Sequence, residues 1–160
     1  KGYYSANGQI IALEEIGGKL FLEDKGSYRE IRSLGNHFII DDPLQYGPEI
    51  FLDENKIKMD RTVYTRMESP PENTTPEYWD NLVGTYGHDF NPLEIFTRYG
   101  RLYARINWQD VFPLEEISQN TFLFPSSGLY SGEKIIFTQF NQGKAVEVLA
   151  ANMVFTRKND

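Results

Sequence analysis

The sequence predicts an all-β protein, built as two small antiparallel up-and-down barrels in tandem, about eight strands each, joined by one short linker helix. Three observations carry this expectation. Phe, Trp and Tyr make up 14% of the 160 residues, and such side chains suit pleated, half-buried surfaces better than helices. Apolar and polar residues alternate with period two in short runs, each cut by a turn signal. The order of runs in the first half then recurs in the second.

The first run, Ile11 to Ile16, stops at Gly17-Gly18, and Lys19 to Leu22 follows. A Gly-Gly pair between two such runs signals a two-residue hairpin, because the tight turn needs positive φ. Asp24-Lys25-Gly26, Gly35-Asn36, Asp41-Asp42-Pro43 and Asp53-Glu54-Asn55 punctuate the next strands, and Val63 to Met67 completes the first repeat over residues 1–67. Residues 68–76 carry no apolar side chain and read as a linker. Thr75-Pro76 reads as an N-cap followed by Pro at the first helical position, which predicts a helix to about Val83, stopped by Gly84. Its Tyr78, Trp79, Leu82 and Val83 can share one face and plug a barrel end. The linker and helix thus fill residues 68–83, and the second repeat fills 84–160.

The two repeats align residue by residue. Gly2-x-Tyr4 matches Gly84-x-Tyr86, and Gly18-Lys19-Leu20-Phe21 matches Gly100-Arg101-Leu102-Tyr103. Tyr28, Ile31 and Leu34 share their spacing with Val111, Leu114 and Ile117, and Asn36-His37-Phe38 matches Asn120-Thr121-Phe122. Ile50-Phe51 is paired with Ile136-Phe137, and Val63-Tyr64-Thr65-Arg66 with Val154-Phe155-Thr156-Arg157. The offset climbs from 82 (84 − 2) to 91 (155 − 64) and never falls, with each step at a turn. Loop insertions between copies of one unit behave this way. Short strands in that number would leave two exposed edges in an open sheet, which closure removes.

Composition excludes several functions. With 23 acidic against 16 basic residues, a net charge of −7 and a pI near 4.9, the chain repels phosphate backbones, so nucleic acid is not an expected partner. The absence of cysteine excludes disulfides, thiol catalysis and Cys-ligated zinc, and two histidines, His37 and His88, exclude a three-histidine metal site. No metal or other cofactor is expected. No apolar run approaches the ~20 residues of a membrane helix, and no signal-peptide pattern opens the chain. The start at Lys1, without Met, reads as a piece of a longer protein.

Leu82-Val83-Gly84-Thr85-Tyr86, then Gly100-Arg101-Leu102-Tyr103, Leu114 with Phe122, Ile135-Ile136-Phe137 and Val154-Phe155-Thr156-Arg157 follow one another in the second repeat. This succession resembles the lipocalin-like β-barrel domain appended to serine hydrolases of the β-lactamase and penicillin-binding-protein class, the S12 peptidases, esterases and D-aminopeptidases. D-aminopeptidases of this class carry two such barrels after the catalytic domain. The resemblance implies a non-catalytic accessory region that docks on the catalytic serine hydrolase domain of the same polypeptide, shaping substrate access or homo-oligomer contacts. It also implies a periplasmic, cell-envelope or secreted location. The rival expectation is a carrier holding a small apolar ligand inside a barrel. Bulky alternating Leu, Ile and Phe argue for filled interiors instead.

No catalytic residue is assigned. Ser131-Gly132-Glu133-Lys134 has the Ser-x-x-Lys spacing of that class, but the motif works on a helix turn, and Ser131 sits in a Pro/Ser/Gly loop leading into a strand. Tyr-x-Asn and Lys-Thr-Gly or His-x-Gly partners are missing from the sequence. His88-Asp89 are strand neighbours pointing to opposite faces, and His37 aligns with Thr121, which suggests a surface role. The pairs Glu14-Glu15, Asp41-Asp42, Asp53-Glu54 and Glu115-Glu116 read as solvated strand faces and turns. Two loops stand out, residues 42–48 and 125–132, in matching positions. Their Leu44, Tyr46, Leu129 and Tyr130 are the candidate partner-contact residues, since Leu and Tyr on Pro-stiffened loops form contact surfaces or fold back over a barrel mouth.

Overall fold

A computed structural model of the chain describes residues 1–42, 45–107 and 110–158. The chain divides into two compact units, Lys1–Glu72 and Asn73–Asp160. Eight strands build the first: β1 (Gly2–Ala6), β2 (Gln9–Ile16), β3 (Lys19–Asp24), β4 (Ser27–Leu34), β5 (His37–Asp42), β6 (Gln45–Asp53), β7 (Lys56–Met59) and β8 (Thr62–Arg66). Every strand pairs antiparallel with its sequence neighbours, and β1 meets β8 through Tyr4–Arg66 and Ser5–Thr65, so the barrel is closed. The second unit repeats the order with β9 (Gly84–His88), β10 (Asn91–Arg98), β11 (Arg101–Ile106), β12 (Asp110–Ser118), β13 (Thr121–Leu123), β14 (Lys134–Asn141), β15 (Lys144–Ala150) and β16 (Met153–Thr156). Its seam is joined more sparsely, by one bridge between Tyr86 and Arg157 and the Lys158 N–H donating to the Thr85 carbonyl, leaving this barrel nearly closed.

The hairpins follow from turn chemistry. Gly17 and Gly18 have φ of +60° and +77°, the two positive values that a type I′ turn requires. The same pair of positive φ recurs at Asn7-Gly8, Lys25-Gly26, Tyr99-Gly100 and Gln142-Gly143. Such turns match the strand twist, which is why short strands run up and down without crossovers.

Alternation then places one face inside. Ile11, Leu13, Leu22, Ile31, Ile40, Ile50, Ile57 and Tyr64 fill the first barrel, while Phe51 and Val63, one residue out of phase, are exposed. Each such buried side chain contributes roughly 1.5–3 kcal/mol over leaving it in water. In the second barrel Tyr86, Leu93, Ile95, Leu102, Phe122, Ile135 and Val148 are fully buried around one axis. Three ring pairs tie them together edge to face, Tyr86–Phe137, Phe122–Phe137 and Trp79–Phe122, with centroids 5.9–6.1 Å apart.

Three sequence expectations are corrected. Phe38 pairs with Ile50 and Phe122 with Ile135, so the structural counterpart of Ile50 is Ile135 and not Ile136. A one-residue slip exchanges the two faces of a strand, and the buried Phe137 therefore cannot stand for the exposed Phe51. Residues 42–48 are not a long loop: β5 and β6 continue pairing to Asp42–Gln45, with a bulge between Ile39 and Asp41. The linker helix shrinks to a 3₁₀ turn over Glu77–Asn81, its N-cap position held by Pro76 with no side-chain cap. Trp79 N–H donates to the Pro76 carbonyl and Leu82 N–H to the Trp79 carbonyl, both at 2.9 Å. Because 3₁₀ geometry superposes residues i and i+3, Trp79 and Leu82 point the same way. Both are buried in the core at the lower end of the barrel, the end where the chain enters β9.

Arginine locks each seam. Arg157 donates to the carbonyls of Ala145 (2.5 Å), Val83 (2.8 Å) and Asn81 (3.1 Å) and lies over the Tyr86 ring, 5.1 Å from its centroid. Arg66 donates to the carbonyls of Lys1 (2.8 Å) and Glu54 (3.4 Å). Gly84 (φ +155°) and Gly2 (φ +149°) let the guanidinium lie against the backbone where any Cβ would crowd it.

Candidate functional site

The upper end of the second barrel, opposite the 3₁₀ turn, concentrates the unusual features. Gly87 in β9 has φ +83°, and a Cβ there would come within 2.7 Å of the Phe155 ring on β16. The first barrel has Ser5 at this position and pairs it with Thr65. Where the second seam parts, a groove of about 380 Å³ opens, lined by Gly87, His88, Phe90, Met153, Val154 and Phe155. Phe90 is 85% exposed and Val154 61% exposed. The His88 ring stacks on Phe90 at 5.4 Å and an interplanar angle of 4°. Next to it, Lys158 hydrogen-bonds to the Asp89 carboxylate and holds its pKa below the ordinary aspartate value, chiefly through that bond.

A loop over residues 124–133 crosses the same end. Phe124 N–H donates to the Glu133 carbonyl, and Glu133 N–H to the Tyr130 carbonyl, so the loop closes on itself. Tyr130 folds back onto the mouth, stacked on Phe124 at 5.2 Å and edge-on to Phe112 at 5.4 Å. Beneath it lies a pocket of about 120 Å³ bounded by Leu93, Ile106, Phe124, Tyr130, Ala150 and Phe155. Leu129, at the tip beside Gly128, is 82% exposed.

The predicted contact residues thus part company. Tyr130 covers the barrel mouth and Leu129 projects from it. Leu44 and the Tyr46 side chain lie outside the described residues; the Tyr46 backbone sits in β6, paired with Asp41. Ser131 spends its hydroxyl on the Ser126 carbonyl at 2.6 Å, while Lys134 opens β14. His37 is more enclosed than a surface role implies: its ring stacks on Phe51 at 5.4 Å, with Nε2 3.7 Å from the Glu49 carboxylate. Of the carboxylate pairs, Glu15 binds Lys1, Asp53 accepts from the Glu54 N–H, and Glu116 accepts from the Tyr78 hydroxyl. The Tyr78 hydroxyl is pushed up in pKa by burial and then by that carboxylate. No group of three metal-ligating side chains meets among the described residues, and no helix among them is long and apolar enough to cross a membrane.

A further recess of about 530 Å³ is lined by Trp79, Arg101, Pro113, Glu115, Leu123 and Pro125. It offers neither a nucleophile with a base beside it nor two facing carboxylates. What the upper end provides is apolar area: Phe90, Leu129, Met153 and Val154, all partly or largely in water. The groove at Gly87 escaped the sequence reading. Its signal was present as Phe90 in a tight turn where the first repeat has Gly8. No protein-family model matches the chain, and no curated protein sequence matches it.

Proposed function

We propose that the tandem barrels are a non-catalytic docking region of a longer polypeptide whose catalytic part is a serine hydrolase of the β-lactamase and penicillin-binding-protein class. The upper end of the second barrel would be the contact face, shaping substrate access or oligomerisation at the cell envelope or outside the cell. The observation that supports a docking role is the pairing of a filled interior with exposed apolar side chains at one end. Tyr86 and Phe122 are wholly buried on the barrel axis, while Phe90 and Leu129 are 85% and 82% exposed. Large apolar groups left in water at one rim serve contact surfaces. The link to the hydrolase class rests on the resemblance in sequence.

The carrier reading is weaker on volume. A pocket of about 120 Å³ falls below the ~300–1,000 Å³ of ordinary small-molecule sites. The test is to mix the 160-residue chain with the separately produced catalytic part of the parent polypeptide and titrate by calorimetry. Binding weakened at least tenfold by Leu129→Asp with Phe90→Asp is the expected result. Absence of binding, or a parent enzyme whose substrate preference ignores Tyr130→Ala and Leu129→Asp, would overturn the proposal.

A further inference from the structure

The two barrels share a lower-end design, and in the second a 3₁₀ turn plugs it. In the second barrel, Arg157 reaches the Val83 carbonyl, one residue before Gly84, and the Ala145 carbonyl. In the first, Arg66 reaches the Lys1 carbonyl, one residue before Gly2, and the Glu54 carbonyl. The backbone bonds coincide too: Arg157 N–H donates to Val146 and Arg66 N–H to Asn55, each one residue past the side-chain acceptor. Arg157 makes two more bonds, one to the Tyr86 hydroxyl and one to the carbonyl of Asn81 in the 3₁₀ turn. Arg66 has no such bond among the described residues.

Burial marks the same difference. Pairing makes Leu20, Phe38 and Leu52 the counterparts of Leu102, Phe122 and Phe137. The latter three are buried at the end capped by Trp79 and Leu82, whereas Leu20, Phe38 and Leu52 are only half-buried. The Tyr86 hydroxyl donates to the Leu82 carbonyl at 2.6 Å. The hydroxyl of its counterpart Tyr4 has no such bond among the described residues.

We infer that the lower end of the first barrel is a seat for the chain segment that precedes Gly2 in the full polypeptide, docked as a 3₁₀ plug with an aliphatic residue two positions before Gly2 and a large aromatic residue five before. Those positions are where Leu82 and Trp79 stand relative to Gly84. The direction of entry is already set, since Gly2 and Gly84 share the same backbone φ to within a few degrees, +149° and +155°. The inference rests on the reading of the chain as part of a longer polypeptide. It does not depend on what the upper end of the second barrel binds.

The experiment uses the chain's own plug as probe. Residues 76–83 are copied in place of Lys1, so that the copy runs into Gly2. A control copy carries Ala at its Trp and Leu positions. Tethering makes the docking intramolecular, which removes the entropic handicap of a free short peptide. Hydrogen exchange is followed at the amides of Leu20, Phe38 and Leu52. We expect protection to rise by about tenfold with the intact copy and not with the control, with a blue-shifted tryptophan emission. Equal exchange in the two forms would overturn the seat. A second form carries the native upstream residues. Protection there, lost when the residue two before Gly2 becomes Ala, is expected; a native extension that leaves exchange unchanged would overturn the assignment of the occupant. Neither result bears on calorimetric binding by the second barrel, so the two readings fail separately.

Discussion

Replacing Arg157 by Met keeps an unbranched apolar stem and removes the guanidinium that ties three parts of the second unit together. Three carbonyls lose a charged donor: Ala145 on β15, Val83 before β9 and Asn81 in the 3₁₀ turn. Hydrogen bonds from charged donors contribute roughly 1.5–3 kcal/mol each when well buried. Arg157 is only partly buried, so about 1 kcal/mol per bond is the safer figure, giving a loss of about 3 kcal/mol. The same change at Arg66 removes bonds to Lys1 and Glu54 at an exposed site, the second of them long at 3.4 Å. About 1 kcal/mol is expected there. Urea unfolding followed by tryptophan fluorescence reports on the second unit, which holds both Trp79 and Trp108, and hydrogen exchange in β2 and β3 reports on the first. With a slope of about 1–1.5 kcal/mol/M for units of this size, Arg157→Met should lower the second unit's midpoint by about 2–3 M. Arg66→Met should move the first by less than about 1 M. Equal losses in both units, or a loss below about 0.5 kcal/mol for Arg157→Met, would refute the view that this residue fastens the plug and the seam.

Gly87→Ala meets both a φ of +83° and the Phe155 ring, so it should cost about 2 kcal/mol in thermal unfolding and shift Phe155 side-chain resonances. Burial raises the pKa of the Tyr86 hydroxyl above 10.0, with Arg157 pulling the other way. The folded state then keeps a proton that the unfolded chain releases, so stability holds below pH 10 and falls as pH rises through the folded value. Tyr86→Phe should flatten part of that alkaline decline; an unchanged slope between pH 9.5 and 11 (roughly the span around the free tyrosine value) would contradict it. Leu129→Ala should leave unfolding within about 0.5 kcal/mol of the parent chain, because the side chain stands in water, whereas Tyr130→Ala should cost about 1–2 kcal/mol through the lost contacts with Phe112 and Phe124.

Hairpins and repeats were legible because they are written locally. Gly17-Gly18 demands a turn wherever it stands, and the Gly2/Gly84 and Arg66/Arg157 pairs lie at fixed ends of a fixed unit. The linker departs from the predicted helix for a tertiary reason. Thr75 and Pro76 carry the signs of an α-helical start, but Trp79 and Leu82 both have to reach the core, and a spacing of three is satisfied by the tighter 3₁₀ turn. The sequence leaves the counterpart of Ile50 ambiguous by one residue because Ile135-Ile136-Phe137 offers two isoleucines, and apolar identity alone does not tell which face each occupies. The groove at Gly87 was hidden for another reason: glycine in a strand marks several different things, and the neighbour that fixes its meaning, Phe155, lies 68 positions on (155 − 87).

Comparison of the repeats also sorts structural residues from those that call for another explanation. Val154 is exposed, but so is its counterpart Val63, so an exposed valine at this place belongs to the barrel design. Phe90 has no such excuse. Its counterpart Gly8 has φ +76°, which suits the turn, and a phenyl group there contributes nothing to the turn while standing 85% in water. Leu129 stands in the loop over 124–133, where the first barrel has a hairpin in which Asp42 pairs directly with Gln45. Exposing two such side chains stabilises neither barrel, and each adds an aggregation risk that a purely structural unit would shed. The upper end of the second barrel is therefore where the copies differ in exposed apolar side chains, Phe90 and Leu129, and that difference is what the proposed partner contact is built on.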